Sequence, residues 1–265
     1  MRSSRFATPD LRWPAPDRWL APAPEPARIA LLRTHDIAHR GLWGPGIPEN
    51  SLAAASAAIR GGFGIECDVR LSRDGTVVVF HDADTQRMTG QSGRIAQLAT
   101  HEIAGRRFIG SEERIPTLAE LLALIAGRVP LLIEIKTDTL AQAAPLCLAV
   151  RRVLEGYRGP AAVMGFNPAV SHWFATHAPR LVRGLVMTEH RETRRRAFGD
   201  AILRRLAVRR ARPDFIAYDV RFLSSALPAA LRLRGLPVLS WTVRSPEDRA
   251  TVACHADRPI FEQVA

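Results

Sequence analysis

The amino-acid sequence predicts an α/β fold, a parallel (β/α)8 TIM barrel. Eight short apolar runs of strand length alternate with longer segments of helical periodicity, which favours parallel strands joined by helices. The chain has 265 residues, close to the length of one such barrel. Eight strands in a chain of this size fit a closed barrel better than a doubly wound sheet.

The candidate strands are apolar segments bounded by polar or turn-forming residues. In chain order they are Ile37–His39, Gly64–Leu71, Thr76–His81, Leu131–Lys136, Ala161–Phe166, Arg183–Met187, Phe215–Asp219 and Val238–Thr242. Only the tight turn "SRDGT" separates the second strand from the third, so this step of the predicted barrel has no helix.

Helical periodicity fills most of the other intervals. The candidate helices are Ser51–Arg60, Leu118–Ala126, Thr139–Glu155, Pro168–His177, Arg195–Arg210, Ser224–Arg234 and Pro246–Ala253. Asn50 or Ser51 is placed to cap the first helix. The mostly polar stretch from Asp82 to Pro116 predicts an irregular insertion after the third strand.

The predicted organisation is a Pro-rich N-terminal arm, residues 1–33, followed by one catalytic barrel domain, residues 34–265. No apolar run has the form of a signal peptide or approaches the ~18 residues of a transmembrane helix, so we expect a cytoplasmic protein. The three cysteines have no metal-type or redox-type spacing, which predicts free thiols. They are Cys67, Cys147 and Cys254.

The formal net charge of +11 raises the alternative of a non-catalytic nucleic-acid-binding protein. The densest basic segment, residues 191–214, nevertheless spaces its arginines as on the solvated face of a helix. Lys136 is the one lysine among 37 basic residues. The sequence therefore uses arginine at basic positions in general, which weakens the net charge as evidence for a nucleic-acid partner. We expect no nucleic-acid partner, and at most a weak contact with an anionic lipid surface.

Ionisable side chains lie at or near the carboxyl ends of the first four predicted strands. They are His39 and Arg40 on the first, Glu66 and Asp68 on the second, His81 on the third, and Glu134 and Lys136 on the fourth. Residues two apart in a strand point to the same side, and barrel active sites lie at the carboxyl ends of the strands. We therefore expect these side chains to share one cavity.

Glu66, Asp68 and Glu134 would form an all-oxygen site for a hard divalent metal, Mg²⁺ or Ca²⁺. Zinc is less favoured, because no Cys/His cluster accompanies the carboxylates. The alternative is that the carboxylates form ordinary strand-end ion pairs with nearby cations. The candidates are Arg70, Arg73 and Lys136.

His39 and His81 are the candidate proton carriers, since imidazole titrates near ~6.5. Two opposed histidines could deprotonate an attacking oxygen and protonate a leaving one, as phosphodiester cleavage requires. Arg40 and Lys136 would bind a phosphate, and Glu49 would orient Arg40 or a histidine. A compact ammonium fits a metal-lined cavity that a guanidinium would crowd, which explains the single lysine unless it survives by chance.

Six short motifs occur in a characteristic order. They are "HRG" at 39–41, "PEN" at 48–50, "ECD" at 66–68, "HD" at 81–82, "EIK" at 134–136 and "SWTV" at 240–243. From about Ile37 onward the sequence therefore resembles the glycerophosphodiester phosphodiesterase family. The resemblance implies a TIM barrel with an insertion after the third strand. It also implies catalytic His39 and His81, a divalent ion on Glu66, Asp68 and Glu134, a phosphate on Arg40 and Lys136, and Trp241 beside the alcohol.

The sequence departs from the family pattern at positions that concern the glycerol-side pocket. Ser51 replaces a usual Thr, Gly165 replaces a usual Ser, and Arg244 replaces a usual Asn. The ending "HADRPIFEQVA" also lacks the usual Gly-Asp-type turn. None of these changes touches the predicted metal ligands or histidines.

The sequence thus predicts a metal-dependent hydrolase of lipid metabolism that cleaves small-molecule glycerophosphodiesters to glycerol 3-phosphate and an alcohol. The nearest alternative is a phospholipase of the same barrel class, a lysophospholipase D or a sphingomyelinase D-like enzyme. Membrane contact by such an enzyme would involve "GLWGPGI" near Trp43. The alternative from another class is nucleic-acid binding through residues 191–214.

Overall fold

Eight parallel strands close into a barrel, which confirms the predicted fold. The computed structural model describes residues 21–190 and 197–263. The strands are β1 (Ile37–Ala38), β2 (Gly64–Leu71), β3 (Val77–Val79), β4 (Leu131–Ile135), β5 (Ala161–Met164), β6 (Val182–Met187), β7 (Phe215–Asp219), β8 (Val238–Val243) and β9 (Arg258–Phe261). All except β3 pair in parallel in chain order, and β9 returns to β1 to close the ring.

Two strands differ from the sequence prediction. The predicted third strand, Thr76–His81, is not part of the barrel, because β3 runs antiparallel to β2 with Val79 opposite Val69. The turn "SRDGT" suits a hairpin and is far too short for the crossover that parallel neighbours need. The eighth barrel strand is β9, which the prediction missed. Its four residues begin with Arg and Pro, and these residues hide the usual strand pattern.

Every predicted helix is present among the described residues with small shifts at its ends, and the predicted start of one of them, Arg195, lies outside those residues. The helices are α1 (Leu52–Arg60), α2 (Gln86–Thr89), α3 (Thr100–Ala104), α4 (Leu118–Ile125), α5 (Leu140–Leu154), α6 (Pro168–His177), α7 (Ala197–Ala211), α8 (Ala226–Leu233) and α9 (Pro246–His255). Of the two predicted caps, Ser51 caps α1 by accepting a hydrogen bond from the Ala54 amide, and Asn50 does not. None of the described helices combines the length and apolarity needed to cross a membrane.

Some sequence predictions fall partly outside the described residues. Residues 1–20 of the predicted arm are among these, as are residues 191–196 of the basic segment. The end of the arm packs against the barrel: Leu32, at the end of the 3-10 helix Ala30–Leu32, and Ile29, which precedes that helix, are almost fully buried. They belong to the same apolar cluster as Leu132 of β4 and Leu239 of β8.

The insertion between Asp82 and Pro116 is more ordered than predicted. It contains α2, α3 and the 3-10 helix Ile95–Gln97. Elements of three to five residues are too short to show periodicity in a sequence. Together with β3 the insertion forms a small apolar core of its own, made of Val78, Phe80, Ile95, Ile103, Phe108 and Ile115. This core fixes the insertion against the strand that leads into His81.

Gly184 lets β6 and β7 pack closely, which generates a prediction about stability. A Cβ at this position would lie 2.4 Å from the ring of Phe215, its register partner on β7. We expect Gly184→Ala to lower the free energy of unfolding by about 1–3 kcal/mol, the usual cost of overpacking. Urea denaturation measures the change.

The matched control is Gly156→Ala, because nothing lies within 4 Å of a carbon added at Gly156. We expect this variant to change the free energy of unfolding by less than about 0.5 kcal/mol. Equal values for the two variants would contradict the packing described for Gly184.

Candidate active site

One cavity of about 450 Å³ opens at the carboxyl ends of the barrel strands, where barrels place their catalytic groups. Seven of the nine predicted site residues line it: His39, Arg40, Glu66, His81, Glu134, Lys136 and Trp241. Asp68 is buried within reach of Glu66 and Glu134. Glu49 does not line the cavity and contacts it through Arg40. The structure therefore brings all nine residues to one end of the barrel.

Three carboxylates form a compact, buried cluster. Glu66 and Asp68 point to the same side of β2, and Asp68 is the register partner of Glu134 on β4. One oxygen from each residue lies within 4.8 Å of the others. Within the described residues, Glu66 Oε1 has no hydrogen-bond partner, although a buried oxygen normally has one. The all-oxygen donor set and this unpaired oxygen fit a hard divalent cation.

Two basic side chains compensate part of the cluster's negative charge. Lys136 donates a hydrogen bond to Glu134 Oε1, and its Nζ lies 3.0 Å from Asp68 Oδ1. Arg40 Nε lies 3.1 Å from Asp68 Oδ2. Two cations that the sequence offered as ion-pair partners contact other carboxylates instead; they are Arg70 and Arg73. Three carboxylates against two cations leave negative charge that favours binding of a metal ion.

Burial and neighbouring charges shift the pKa values of the three carboxyl groups in different directions. Burial raises the pKa of Glu66, and the neighbouring carboxylates raise it further. Burial also raises the pKa of Glu134. Burial alone would raise the pKa of Asp68, but the charges of Lys136 and Arg40 outweigh it and lower this pKa. Asp68 therefore stays ionised, whereas Glu66 and Glu134 hold protons more readily until a cation displaces them.

Each histidine uses Nδ1 for a carboxylate, which leaves Nε2 for the cavity. His39 Nδ1 lies 2.6 Å from Glu262 Oε1, and its Nε2 lies 3.8 Å from Glu66 Oε2. His81 Nδ1 lies 2.7 Å from Asp82 Oδ1. A carboxylate at Nδ1 keeps the proton of a neutral imidazole on that nitrogen. Nε2 of each ring is then the atom that can exchange a proton with a bound molecule.

The two partner carboxylates are strongly ionised. Burial would raise the pKa of Glu262, but hydrogen bonds from His39 and Arg244 lower it to about 2. Hydrogen bonds from Arg87 and His81 likewise outweigh burial and lower the pKa of Asp82. Burial lowers the pKa of His81 itself, and two nearby cations add to this effect. The His81 imidazole is therefore neutral at neutral pH and can accept a proton.

The loop after β1 holds Glu66 through a backbone amide and Asp68 through a side chain. Arg40 and Asn50 have φ angles of 59° and 57°, a left-handed region that residues other than glycine rarely adopt. In this conformation the Arg40 amide donates to Glu66 Oε2 at 3.0 Å. The Asn50 side chain donates to Asp68 Oδ2 at 2.9 Å and accepts from the Asp68 amide at 3.2 Å. Asn50 therefore orients a candidate metal ligand instead of capping a helix.

An aromatic wall lines the same cavity as the charged groups, with Lys136 Nζ 5.8 Å from the centroid of the Phe166 ring. Trp241 and Phe166 meet edge to face with 5.3 Å between ring centroids. The indole Nε1 of Trp241 donates to the Ala217 carbonyl at 3.0 Å, which fixes the ring at the end of β8. Phe166 stays 44% exposed at the mouth. This wall suits the organic part of a molecule whose phosphate lies against the cations.

Sequence reasoning gave no role to the carboxylates that bind the histidines. Asp82 directly follows His81, and this adjacency was the available signal. Glu262 follows β9, the strand that the prediction missed, so no sequence pattern placed it near His39. Arg87 and Arg244, which contact these carboxylates, were not among the predicted site residues either.

Comparison with known proteins gives a family match and several relatives. The model of the Glycerophosphoryl diester phosphodiesterase family matches residues 39–257. A glycerophosphodiester phosphodiesterase of Caldanaerobacter subterraneus subsp. tengcongensis is 40% identical over 116 residues, which cover 40% of this chain and 46% of the relative. Glycerophosphodiester phosphodiesterase 1 of Rattus norvegicus is 38% identical over 118 residues, covering 39% of this chain and 35% of the relative. Each alignment thus spans less than half of the relative.

Solved structures match over most of the chain. A phosphodiesterase of Oleispira antarctica, in complex with the product sn-glycerol-3-phosphate, has a TM-score of 0.73 and 22% identity, with 87% of this chain and 93% of that chain covered. The glycerophosphodiester phosphodiesterase of Thermotoga maritima has a TM-score of 0.67 and 24% identity, with 85% and 92% covered. At these identities the matches show a shared fold.

The carboxylate cluster predicts that Mg²⁺ or Ca²⁺ stabilises the protein. A ligand that binds only the folded state adds about 2.7 kcal/mol at 100 times its Kd, and the unfolding temperature should rise accordingly. The gain should shrink as the pH falls, because protons compete for Glu66 and Glu134, whose pKa values are raised. Differential scanning fluorimetry near pH 5 and near pH 8 measures both effects.

Two variants separate specific binding from general charge effects. Glu66→Gln removes one ligand and should lose most of the cation-induced shift. Glu155→Gln removes an exposed carboxylate just after α5 and should keep the full shift. The assignment fails if Glu66→Gln responds to the cation as strongly as the unaltered protein.

Proposed function

The chain belongs to the glycerophosphoryl diester phosphodiesterase family, and we propose that it hydrolyses glycerophosphodiesters to glycerol 3-phosphate and an alcohol. This proposal depends on one observation. Two imidazoles, each bound to a carboxylate through Nδ1, lie at the same cavity as a cluster of three carboxylates. The substrate class is supported by the Oleispira antarctica relative, whose structure contains sn-glycerol-3-phosphate.

Arg40 and Lys136 would bind the phosphate group of the substrate. Both side chains line the cavity and are about 15% exposed, so their charge is only weakly screened by solvent. Glu49 accepts a hydrogen bond from the Arg40 guanidinium at 3.0 Å and so limits its orientations. Asp68 and Glu134 hold the Lys136 ammonium, and they raise its pKa although burial opposes the shift. Both cations therefore stay charged and in place before the substrate arrives.

His39 and His81 would carry the two proton transfers. One Nε2 takes a proton from the attacking oxygen, either of water or of a neighbouring hydroxyl of the substrate, as this oxygen bonds to phosphorus. The other ring, which carries protons on both nitrogens, gives its Nε2 proton to the oxygen of the leaving alcohol as the bond from that oxygen to phosphorus breaks. Glu262 and Asp82 hold the Nδ1 protons and stabilise whichever ring is positively charged.

Glu66, Asp68 and Glu134 would hold Mg²⁺ or Ca²⁺. A divalent cation bound there supplies Lewis-acid stabilisation of the negative charge that develops on the phosphate oxygens. The protein's own contribution is a rigid set of donors, because all three residues lie on neighbouring barrel strands and two are tied by the loop after β1. Trp241 and Phe166 would contact the organic part of the substrate.

We expect His39→Ala and His81→Ala to retain the fold and to lose most of the diesterase activity. General acid–base catalysis contributes about 10²–10⁴-fold to such a rate, so each variant should lose kcat by roughly that factor. Release of glycerol 3-phosphate from sn-glycero-3-phosphocholine measures the activity. The control is His177→Ala, an exposed histidine on α6 that should leave the rate unchanged. Equal rates in all three variants would contradict the assigned roles.

Chelation should abolish turnover of the same substrate. Excess EDTA removes the divalent cation, and the activity should return when Mg²⁺ or Ca²⁺ is added beyond the chelator. Turnover that continues undiminished in EDTA would rule out a metal-dependent reaction. It would leave the three carboxylates without the role proposed here.

A further inference from the structure

In each histidine–carboxylate pair, an arginine also donates a hydrogen bond to the carboxylate. Arg87 Nε donates to Asp82 Oδ2 at 2.5 Å, on the far side of the carboxylate from His81. Arg244 Nε donates to Glu262 Oε2 at 2.6 Å, and its NH2 donates to Oε1 of the same carboxylate at 3.1 Å. A carboxylate bound on both sides has few alternative rotamers, and its charge is fixed. Each histidine is thus bound by a carboxylate that an arginine holds in place.

Arg87 makes a further contact that Arg244 does not. Its second nitrogen, NH2, donates to Glu49 Oε1 at 2.6 Å. The same Glu49 oxygen accepts from the Arg40 guanidinium at 3.0 Å. One guanidinium therefore connects the carboxylate of His81 with the carboxylate of Arg40. Without this guanidinium, Asp82 and Glu49 would be two close negative charges that repel each other.

Arg87 reaches this position from outside the cavity. It lies on α2, in the insertion, and no described residue of segment 82–116 lines the cavity. The helix is fixed at its start, where the Gln86 amide donates to Asp84 Oδ1 at 2.8 Å. It is fixed again near its end, where the Ile109 amide donates to the Met88 carbonyl at 2.9 Å. The insertion therefore presents Arg87 on a rigid support.

We propose that Arg87 is a positioning residue that sets His81 and Arg40 relative to each other, so that the proton carrier and the phosphate-binding group meet the same substrate. The proposal rests on the function proposed above. It assigns the insertion a role in catalysis although the insertion supplies no wall of the cavity. Loss of Arg87 should disturb proton transfer through His81 and phosphate binding through Arg40 together.

Kinetics of Arg87→Ala test this coupling. Loss of residues that orient a reactive group typically costs about 10- to 100-fold, and we expect a loss of that size in kcat/KM for sn-glycero-3-phosphocholine, divided between a lower kcat and a higher KM. Arg87→Lys should recover little, because an ammonium lacks the planar fork that serves two carboxylates. Added guanidinium ion should partly restore Arg87→Ala and should leave Arg87→Lys unchanged. The restoration would also show that the Ala variant is folded.

The control variant is Arg107→Ala. Arg107 belongs to the same insertion, its side chain is 63% exposed, and it pairs with the exposed Glu112. This variant should keep both kcat and KM. If Arg87→Ala behaves like Arg107→Ala, or if it changes KM alone or kcat alone, Arg87 does not couple the two groups.

A measurement without substrate separates this proposal from the proposed function. In ¹⁵N NMR of the imidazoles, His81 of the unaltered protein and of Arg107→Ala should show one tautomer, with the proton on Nδ1. Arg87→Ala should show a mixture, since Asp82 is then free to turn away. A single tautomer in Arg87→Ala would overturn the positioning role. A mixture, in a protein whose unaltered form lacks diesterase activity, would sustain that role and reject the proposed function.

Discussion

The concentration of three buried carboxylates at one end of the barrel is the constraint on which the rest of the site depends. Like charges in a medium of low dielectric constant cannot all remain ionised without compensation. Lys136 and Arg40 supply part of that compensation, and Glu66 Oε1 is left for a cation. The pairing of β2 with β4 brings the carboxylates together, and the left-handed backbone at Arg40 directs an amide at Glu66. The strand pairing and the strained backbone at Arg40 thus both help to hold the buried carboxylates in place.

The single lysine of the sequence takes part in this charge compensation. Lys136 comes two residues after Glu134, directly beyond the end of β4, and its ammonium contacts Glu134 and Asp68. A guanidinium is broad and planar, with donors spread over a fork, whereas an ammonium places three donors around one atom. At Lys136 the ammonium contacts both carboxylates, while Glu66 Oε1 has no hydrogen-bond partner among the described residues.

Much of the fold and of the cavity followed from local patterns in the sequence. Alternation of apolar runs and helices predicts the barrel, and spacing within strands predicts Glu66 and Glu134, because periodicity reports which side of an element a residue faces. The direction of β3 was predicted wrongly, although the short turn before it is a signal for a hairpin. The existence of β9 was not predicted, because Arg258 and Pro259 mask the strand pattern. Contacts between distant segments, such as Glu262 with His39, depend on the closed barrel and leave no local signal.

Strands and loops contribute differently to this site. The three clustered carboxylates lie on β2 and β4, where neighbouring strands limit their movement. The histidines lie just beyond strand ends, where a proton carrier has room to approach a substrate, and their orientation then has to come from other side chains. Glu262 is held by His39 and Arg244, whereas the arginine that holds Asp82, Arg87, also donates to the carboxylate that holds Arg40. The insertion does not line the cavity, but the guanidinium of Arg87 links it to the two carboxylates that hold His81 and Arg40. The insertion can therefore influence the geometry of the cavity.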